Sequence, residues 1–397
     1  MRINANKKIH KMKRDPYRQM LRVAGILAIA VVVGIGIFGL CSFMVNTEYH
    51  SKREAMDQAN VEGEQEFNAK MAAARSSYVE DGQPREEEQG ELRYWEATLG
   101  DALWRIEDDG RKSLENTYVV ELDRATLING GLLLVNPWHS LPTDFSDLDL
   151  VSIGTASGYK MQVQDNTVRL FPLAYDALAA MIGDAEKEEL KDYMVREAYR
   201  SMDMQLELFN ARMERLSGDY SGVILIEQTK KYVNYPGNSE FQTGLSFRMD
   251  LYNRTDPTVG AQKFQESAQG KWFTENAWKY GIIFRFPTLD FPTSEWEDKS
   301  YKTGVSQTMN LYRYVGKAHA AAMRTLGYCM EEYVEFLMDH SHISIYKDGA
   351  LQYEIIRLAT EEILPVYSVP VPNPASSYQA SLDNMGGVVL AYTYNQQ

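Results

Sequence analysis

Cysteine is almost absent from this sequence: Cys41 and Cys329 are the only two in 397 residues. One falls inside an apolar run and the other lies far downstream. No disulfide staple is expected, and a zinc site built from several cysteines is excluded. Histidine is scarce too, with six residues, which limits any imidazole-based metal site. Positive charge is also in deficit, the formal net charge being −14. The deficit is uneven. Residues 1–22 hold eight Lys/Arg against Asp15 alone, a local +7 that leaves −21 for the remainder. An acidic body of this kind argues against nucleic-acid binding through phosphate neutralisation.

What is present begins with "VAGILAIAVVVGIGIFGLCSFMV", Val23 to Val45, 23 residues without a charge. As a helix the run would span roughly 35 Å, enough for a bilayer core of about 30 Å. A cleaved signal peptide has a shorter apolar region, about 7–15 residues, and then a small-residue cleavage site. The following "MVNTEYH" offers no such site, and Leu40 before Cys41 does not suit lipoprotein processing. The expectation is an uncleaved single-pass anchor in the cell membrane. Residues 1–22 form a basic cytoplasmic tail, and the rest is extracytoplasmic by the positive-inside rule. Residues 46–116, acidic and without a sustained heptad, read as a stalk or linker.

The folded part is expected as an α+β domain over 117–340 with a small C-terminal β module over 341–397. Two apolar runs flank Asn129-Gly130-Gly131, a hairpin signal. "LAYDALAAMIGDAEKEELKDYMV" and "DMQLELFNARMERL" have helical spacing, whereas "GVILIEQ" reads as a short buried strand. "KFQESAQGKWFTENAWKYG" is an amphipathic helix ended by Gly281, and "IIFRFP" is a strand. "AHAAAMRTLG" and "MEEYVEFLMDH" are helical. "ISIYKDGALQYEIIRL" is a hairpin around Asp348-Gly349, and "LPVYSVPVP" and "GVVLAYTY" are strands.

Five segments in order resemble motifs of the VanY-type D-alanyl-D-alanine carboxypeptidases, zinc peptidases of bacterial cell walls. They are "LLLVNPWHSLP", "AYRSMDMQ", "PGNSEFQTGL", "WFTENAWKYGIIFRFP" and "TGVSQTMNLYRYVG". The resemblance spans about residues 117–397 and implies that family's fold. It also implies a zinc cofactor held by two histidines and an aspartate, with a glutamate as base. Carried over without gaps, the first histidine falls on Phe241, the aspartate on Arg248, the glutamate on Thr308 and the second histidine on Leu311. The tryptophan beside the last ligand has become Asn310. Phenyl and isobutyl groups have no lone pair, a guanidinium repels a cation, and a threonine is no base at neutral pH. The expectation is therefore no metal and no intact catalytic residue.

The residues that could supply relocated ligands are Asp250, two residues along the same strand face, and His139, His319, His340 and His342, the last two being an i, i+2 pair. The recognition end of the site is better preserved. By the same resemblance, Arg200 faces a peptide substrate and Ser239 helps hold a terminal carboxylate. Gln205, Glu240, Gln242 and Thr243 also match. With Arg248 beside the former metal position, the candidate ligand-binding set is Arg200, Ser239, Gln205 and Arg248. The function expected is a membrane-anchored pseudo-carboxypeptidase that binds peptidoglycan stem peptide, or a protein partner, without hydrolysis. The alternatives are an active D-alanyl-D-alanine carboxypeptidase with relocated ligands and a purely structural scaffold in a membrane complex.

Overall fold

The computed structural model describes residues 92–394, apart from 112, 113, 115 and 361. The basic tail and the apolar run Val23–Val45 lie outside them. Among the described residues no helix is long and apolar enough to cross a membrane.

The described chain opens with strands β1 (Arg93–Leu99), β2 (Ala102–Asp108) and β3 (Thr117–Asp123), and a short helix α1 (Arg124–Ile128) follows. Next come β4 (Val151–Ser152), β5 (Gln162–Val163), β6 (Arg169–Leu170) and helix α2 (Pro172–Lys187). Strand β7 (Tyr193–Glu197) leads into a helical pair, α3 (Met202–Leu216) and α4 (Gly222–Lys230). Strand β8 (Ser246–Leu251), helix α5 (Ala268–Asn276), β9 (Ile282–Phe284) and β10 (Leu311–Tyr314) complete the central part. Helices α6 (Lys317–Leu326) and α7 (Met330–Asp339) precede β11 (His342–Lys347), β12 (Ala350–Ala359), β13 (Val366–Pro372), β14 (Ser377–Leu382) and β15 (Gly387–Thr393).

A five-stranded sheet in the order β5–β7–β8–β10–β9 carries the region of interest. Strand β8 shows why it sits where it does. Phe247, Met249 and Leu251 alternate onto one face and enter a core with Leu178, Met181 and Ile182 of α2. Ser246, Arg248 and Asp250 are left on the opposite face. Helix α2 begins with Pro172 and buries Ala174, Leu178, Met181, Ile182 and Ala185, a single helical stripe. A second sheet has the order β1–β2–β11–β12–β15–β14 and packs with α6 and α7 around Ile106, Tyr333, Ile345 and Ile355. The architecture is α+β.

Several expected elements form where the sequence placed them. The β11–β12 hairpin turns at Asp348-Gly349, both at positive φ (50° and 81°), as its two-residue loop requires. Helices α3, α6 and α7 and strands β9, β13 and β15 also form. Others differ. Asn129-Gly130-Gly131 makes no hairpin: β3 pairs instead with β13, more than 240 residues downstream, and Asp123 caps α1 by accepting from the Thr126 N–H at 2.7 Å. Gly130 serves a close approach, since a Cβ there would lie 1.9 Å from the Ala380 carbonyl oxygen. "GVILIEQ" is helix α4 rather than a strand. It buries Leu225, Ile226 and Thr229 and exposes Val223 and Ile224, a one-sided helical face that a short apolar run does not reveal. The helix expected to continue through "KDYMV" stops at Lys187. Glu189 and Asp192 take positive φ, and Tyr193–Glu197 becomes β7.

The stalk or linker expected over 46–116 contains the β1–β2 hairpin near its end. Ala102, Trp104 and Ile106 alternate inward between Leu103, Arg105 and Glu107, and β2 pairs with β11. The β module expected over 341–397 is therefore extended by strands from the other end of the described chain.

Two glycines test this packing. Gly130→Ala is expected to cost about 1–3 kcal/mol through overpacking against backbone that has little freedom to yield. Gly183→Ala, inside α2 with nothing within 4 Å of the added carbon, is expected to raise stability by up to about 1 kcal/mol. Thermal unfolding of the two variants beside the parent checks both signs.

Candidate ligand-binding site

The segment before β8 is a tight piece of chain. Ser239 is extended, Glu240–Thr243 form one turn of 3-10 helix, and Gly244 ends it in the left-handed region at φ 67°. A Cβ on Gly244 would meet Leu150 and Phe171 at 2.7 Å, so this turn is pressed directly on the core. It delivers Glu240 inward and Phe241 towards a cavity.

Glu240 is completely buried and belongs to a network of four charges. It accepts from Arg285 Nε at 2.8 Å, from Ser246 Oγ at 2.6 Å and from Arg313 Nη1. Arg285 also donates to both oxygens of Glu331, at 2.9 and 2.8 Å. Arg313 donates onward to the carbonyls of Gly131 and Leu133, at 2.8 and 3.1 Å. Glu331 accepts from Asn136 Nδ2 at 3.1 Å. Burial pushes the Glu240 carboxyl pKa up, but Arg313 and Arg285 together outweigh it and hold the group below the usual carboxylate range. Nothing is left of Glu240 to act as a base.

Above this network lies a cavity of about 250 Å³. Its wall includes Arg200, Gln205, Ser239, Phe241, Arg248 and Thr308, which the sequence had singled out. Leu311 completes the convergence from below, packing in one apolar cluster with Phe241, Phe286 and Val305. In register, Arg248 on β8 stands directly opposite Leu311 on β10 and Glu197 on β7.

The two arginines are held differently. Arg200 donates through Nε to Glu197 at 2.5 Å and through Nη1 to Gln205 Oε1 at 3.1 Å, and its guanidinium lies 3.9 Å over the Phe241 ring. Gln205 spends its other end on the Asn234 carbonyl, at 2.7 Å. It positions Arg200 and keeps neither end free. Arg248 has a buried Nε without a hydrogen-bond partner among the described residues. Sequence reasoning missed Glu197, Lys230 and Lys231, which also line the cavity. The spacing of Glu197 three residues before Arg200 was a usable signal, whereas the lysines were hidden by reading α4 as a strand.

The alternative ligand residues Asp250, His139, His319, His340 and His342 lie outside the cavity wall. Asp250 accepts from Arg196 at 2.9 Å. His139 sits 2.9 Å from Asn136 Oδ1, and His319 sits 3.0 Å from the Tyr333 hydroxyl. His340 pairs with Asp108 and His342 with Glu354, each at 2.7 Å. Among the described residues no three His, Cys, Asp or Glu side chains group as a metal centre needs. The cavity's own donors do not fit zinc. Its carboxylates, Glu197 and Glu240, are bound to arginines, and the remaining candidates are a phenyl ring, a guanidinium and a hydroxyl.

The comparisons with known proteins bear on the family and the fold. The family model for VanY D-alanyl-D-alanine carboxypeptidase matches residues 167–317. The chain is 32% identical over 204 residues to the putative carboxypeptidase YodJ of Bacillus subtilis (strain 168), covering 51% of this chain and 67% of that protein. It is 26% identical over 280 residues to a D-alanyl-D-alanine carboxypeptidase of Enterococcus faecium, covering 70% and 79%. The crystal structure of the vancomycin resistance D,D-dipeptidase VanXYg, in complex with a D-Ala-D-Ala phosphinate analog, superimposes with a TM-score of 0.54 at 22% identity. That match covers 70% of this chain and 99% of the other and bears on the fold alone. The fold is thus that of a cell-wall peptidase. The chain belongs to the VanY-type D-alanyl-D-alanine carboxypeptidase family.

Glu240→Gln is expected to destabilise the protein by about 3–5 kcal/mol, the usual cost of stranding buried charges; chemical denaturation measures it. A pH series tests the buried imidazoles. Burial, with Arg285 nearby, pushes His139 down to about 4, and burial alone pushes His319 down to about 3. The unfolded chain, with histidines near 6.5, then binds more protons than the folded one below that pH. Their contribution is full above pH 6.5, so the thermal midpoint should fall as pH drops from 6.5 towards 4. His139→Gln should flatten part of that slope.

Proposed function

We propose that this chain is a non-hydrolytic member of its family, one that binds the stem peptide of peptidoglycan through the cavity around Arg200, Ser239 and Arg248. Gln205 holds Arg200 in place for it. The observation that carries the reading is the place of Phe241 and Leu311 in one apolar cluster. Two side chains at positions the resemblance assigns to imidazole ligands belong there to hydrocarbon packing with Phe286 and Val305. The described lining offers no ligand set for an ion that would lower a water's pKa, and its carboxylates, Glu197 and Glu240, are both bound to arginines. Binding asks for less. A guanidinium and a hydroxyl on the wall of a concave site suffice for a peptide carboxylate. In the cell, the apolar run at Val23–Val45 would hold this domain on the outer side of the membrane, within reach of the wall.

The test is calorimetric titration of the full chain with a stem pentapeptide ending in Lys-D-Ala-D-Ala, with zinc present, while free D-alanine is assayed in the same solution. Saturable heat without D-alanine is expected. D-alanine released in proportion to protein would overturn the reading, and so would the absence of any binding.

A further inference from the structure

The two arginines of the cavity have different amounts left to give. Arg200 is committed on both sides and on its face, to Glu197, Gln205 and the Phe241 ring. Arg248 keeps its Nε buried and unpartnered, and no ion pair or hydrogen bond from it occurs among the described residues. Its register neighbour Glu197 would be the natural counter-ion, but that carboxylate has turned to Arg200. Lys230 is occupied by Glu227 at 3.1 Å and Lys231 by Gln228 at 3.2 Å. Of the two arginines on the cavity wall, Arg248 is therefore the one whose guanidinium is uncommitted, and it stands where the resemblance implies a metal ligand.

A metal ion in a peptidase polarises a neutral carbonyl, that of the bond to be cut. A guanidinium in its place lacks that reach. Its forked N–H groups are matched instead to a full carboxylate, which takes two parallel hydrogen bonds and neutralises the charge. In a peptide ending in Lys-D-Ala-D-Ala, the group at the bond to be cut is a neutral amide. In the peptide one residue shorter, the same carbon carries the terminal carboxylate.

We propose that the cavity is selective for the trimmed stem peptide, ending in Lys-D-Ala, and that Arg248 is the specificity-determining residue that receives its carboxylate. This rests on the binding role proposed above. The reaction class that supplies such a ligand is hydrolysis of the last peptide bond. Water adds across the amide, leaving a carboxylate on the penultimate residue and releasing D-alanine, with no redox partner. The protein would then read the product of a carboxypeptidase rather than perform the reaction.

The experiment titrates the full chain with the stem tetrapeptide and pentapeptide, each in parallel, and repeats both with Arg248→Met and Arg248→Lys. Since Arg248 makes no ion pair, both variants are expected to keep the parent's circular dichroism and thermal midpoint. The parent should bind the tetrapeptide about tenfold or more tighter, the worth of one charge-assisted bidentate contact. Arg248→Met should erase the preference, and Arg248→Lys should keep part of it. Equal affinities in the parent, a preference for the pentapeptide, or a preference that survives in Arg248→Met would each overturn the proposal while leaving peptide binding intact. Failure of both peptides to bind would overturn the binding role as well. Should Arg248→Met not fold, the parent's ratio and that of Arg248→Lys decide the matter.

Discussion

The site depends on four charges that never meet water. Glu240, Arg285, Arg313 and Glu331 come from a 3-10 turn, the end of β9, β10 and α7, and they neutralise one another in a region without solvent. Arg313 also reaches into the chain at Gly131–Leu133, which belongs to no ladder and would otherwise bury carbonyls without donors. Desolvation makes each charge expensive unless every partner is in place. The network therefore demands that five segments arrive together. Its consequence is positional: with Glu240 anchored, residue 241 must face the cavity, and β8 and β10 must bring residues 248 and 311 opposite each other.

A scaffold held this firmly tolerates a change of side chains on the cavity surface. The phenyl and isobutyl groups at 241 and 311 contribute burial of their own in the small cluster with Phe286 and Val305. The guanidinium at 248 stays at the edge of that cluster, half-buried. The fold and the cavity surface are thus supported by separate groups of residues. One lies beneath the cavity and is ionic. The other lines it and sets the hydrocarbon of Phe241, Phe286 and Val305 beside polar groups such as Arg200, Arg248 and Ser239.

Much of this was legible in the sequence, and the reasons for the rest are physical. The order and internal spacing of the motifs located Arg200, Phe241, Arg248, Thr308 and Leu311, and the fold brings them around one cavity. The roles of Glu240 and Gln205 were visible only as matches to a motif. Their partners, at 285, 313 and 234, are remote in sequence. Helix α4 was misread because four consecutive apolar residues satisfy a buried strand and a half-buried helix equally well. Gly130 reads as a turn residue in sequence because a glycine needed for close backbone approach looks identical there to one needed for positive φ. The alternation in "ALWRIED" was overlooked among its charges, and with it the strand that borders β11.

That overlooked strand has a bearing on how the protein is made. Strand β2 lies beside β11, and the Leu103 N–H is received by the Asp348 side chain at 2.9 Å across 245 residues of sequence. Strand β3 waits in the same way for β13. During synthesis these strands leave the ribosome well before their partners β11 and β13, which follow only after the whole central part of the chain. Contacts of such long range slow folding, because the loop they close is ordered before it is rewarded. The nascent chain thus carries open sheet edges while the central part is made, an interval in which such edges are exposed to wrong pairing.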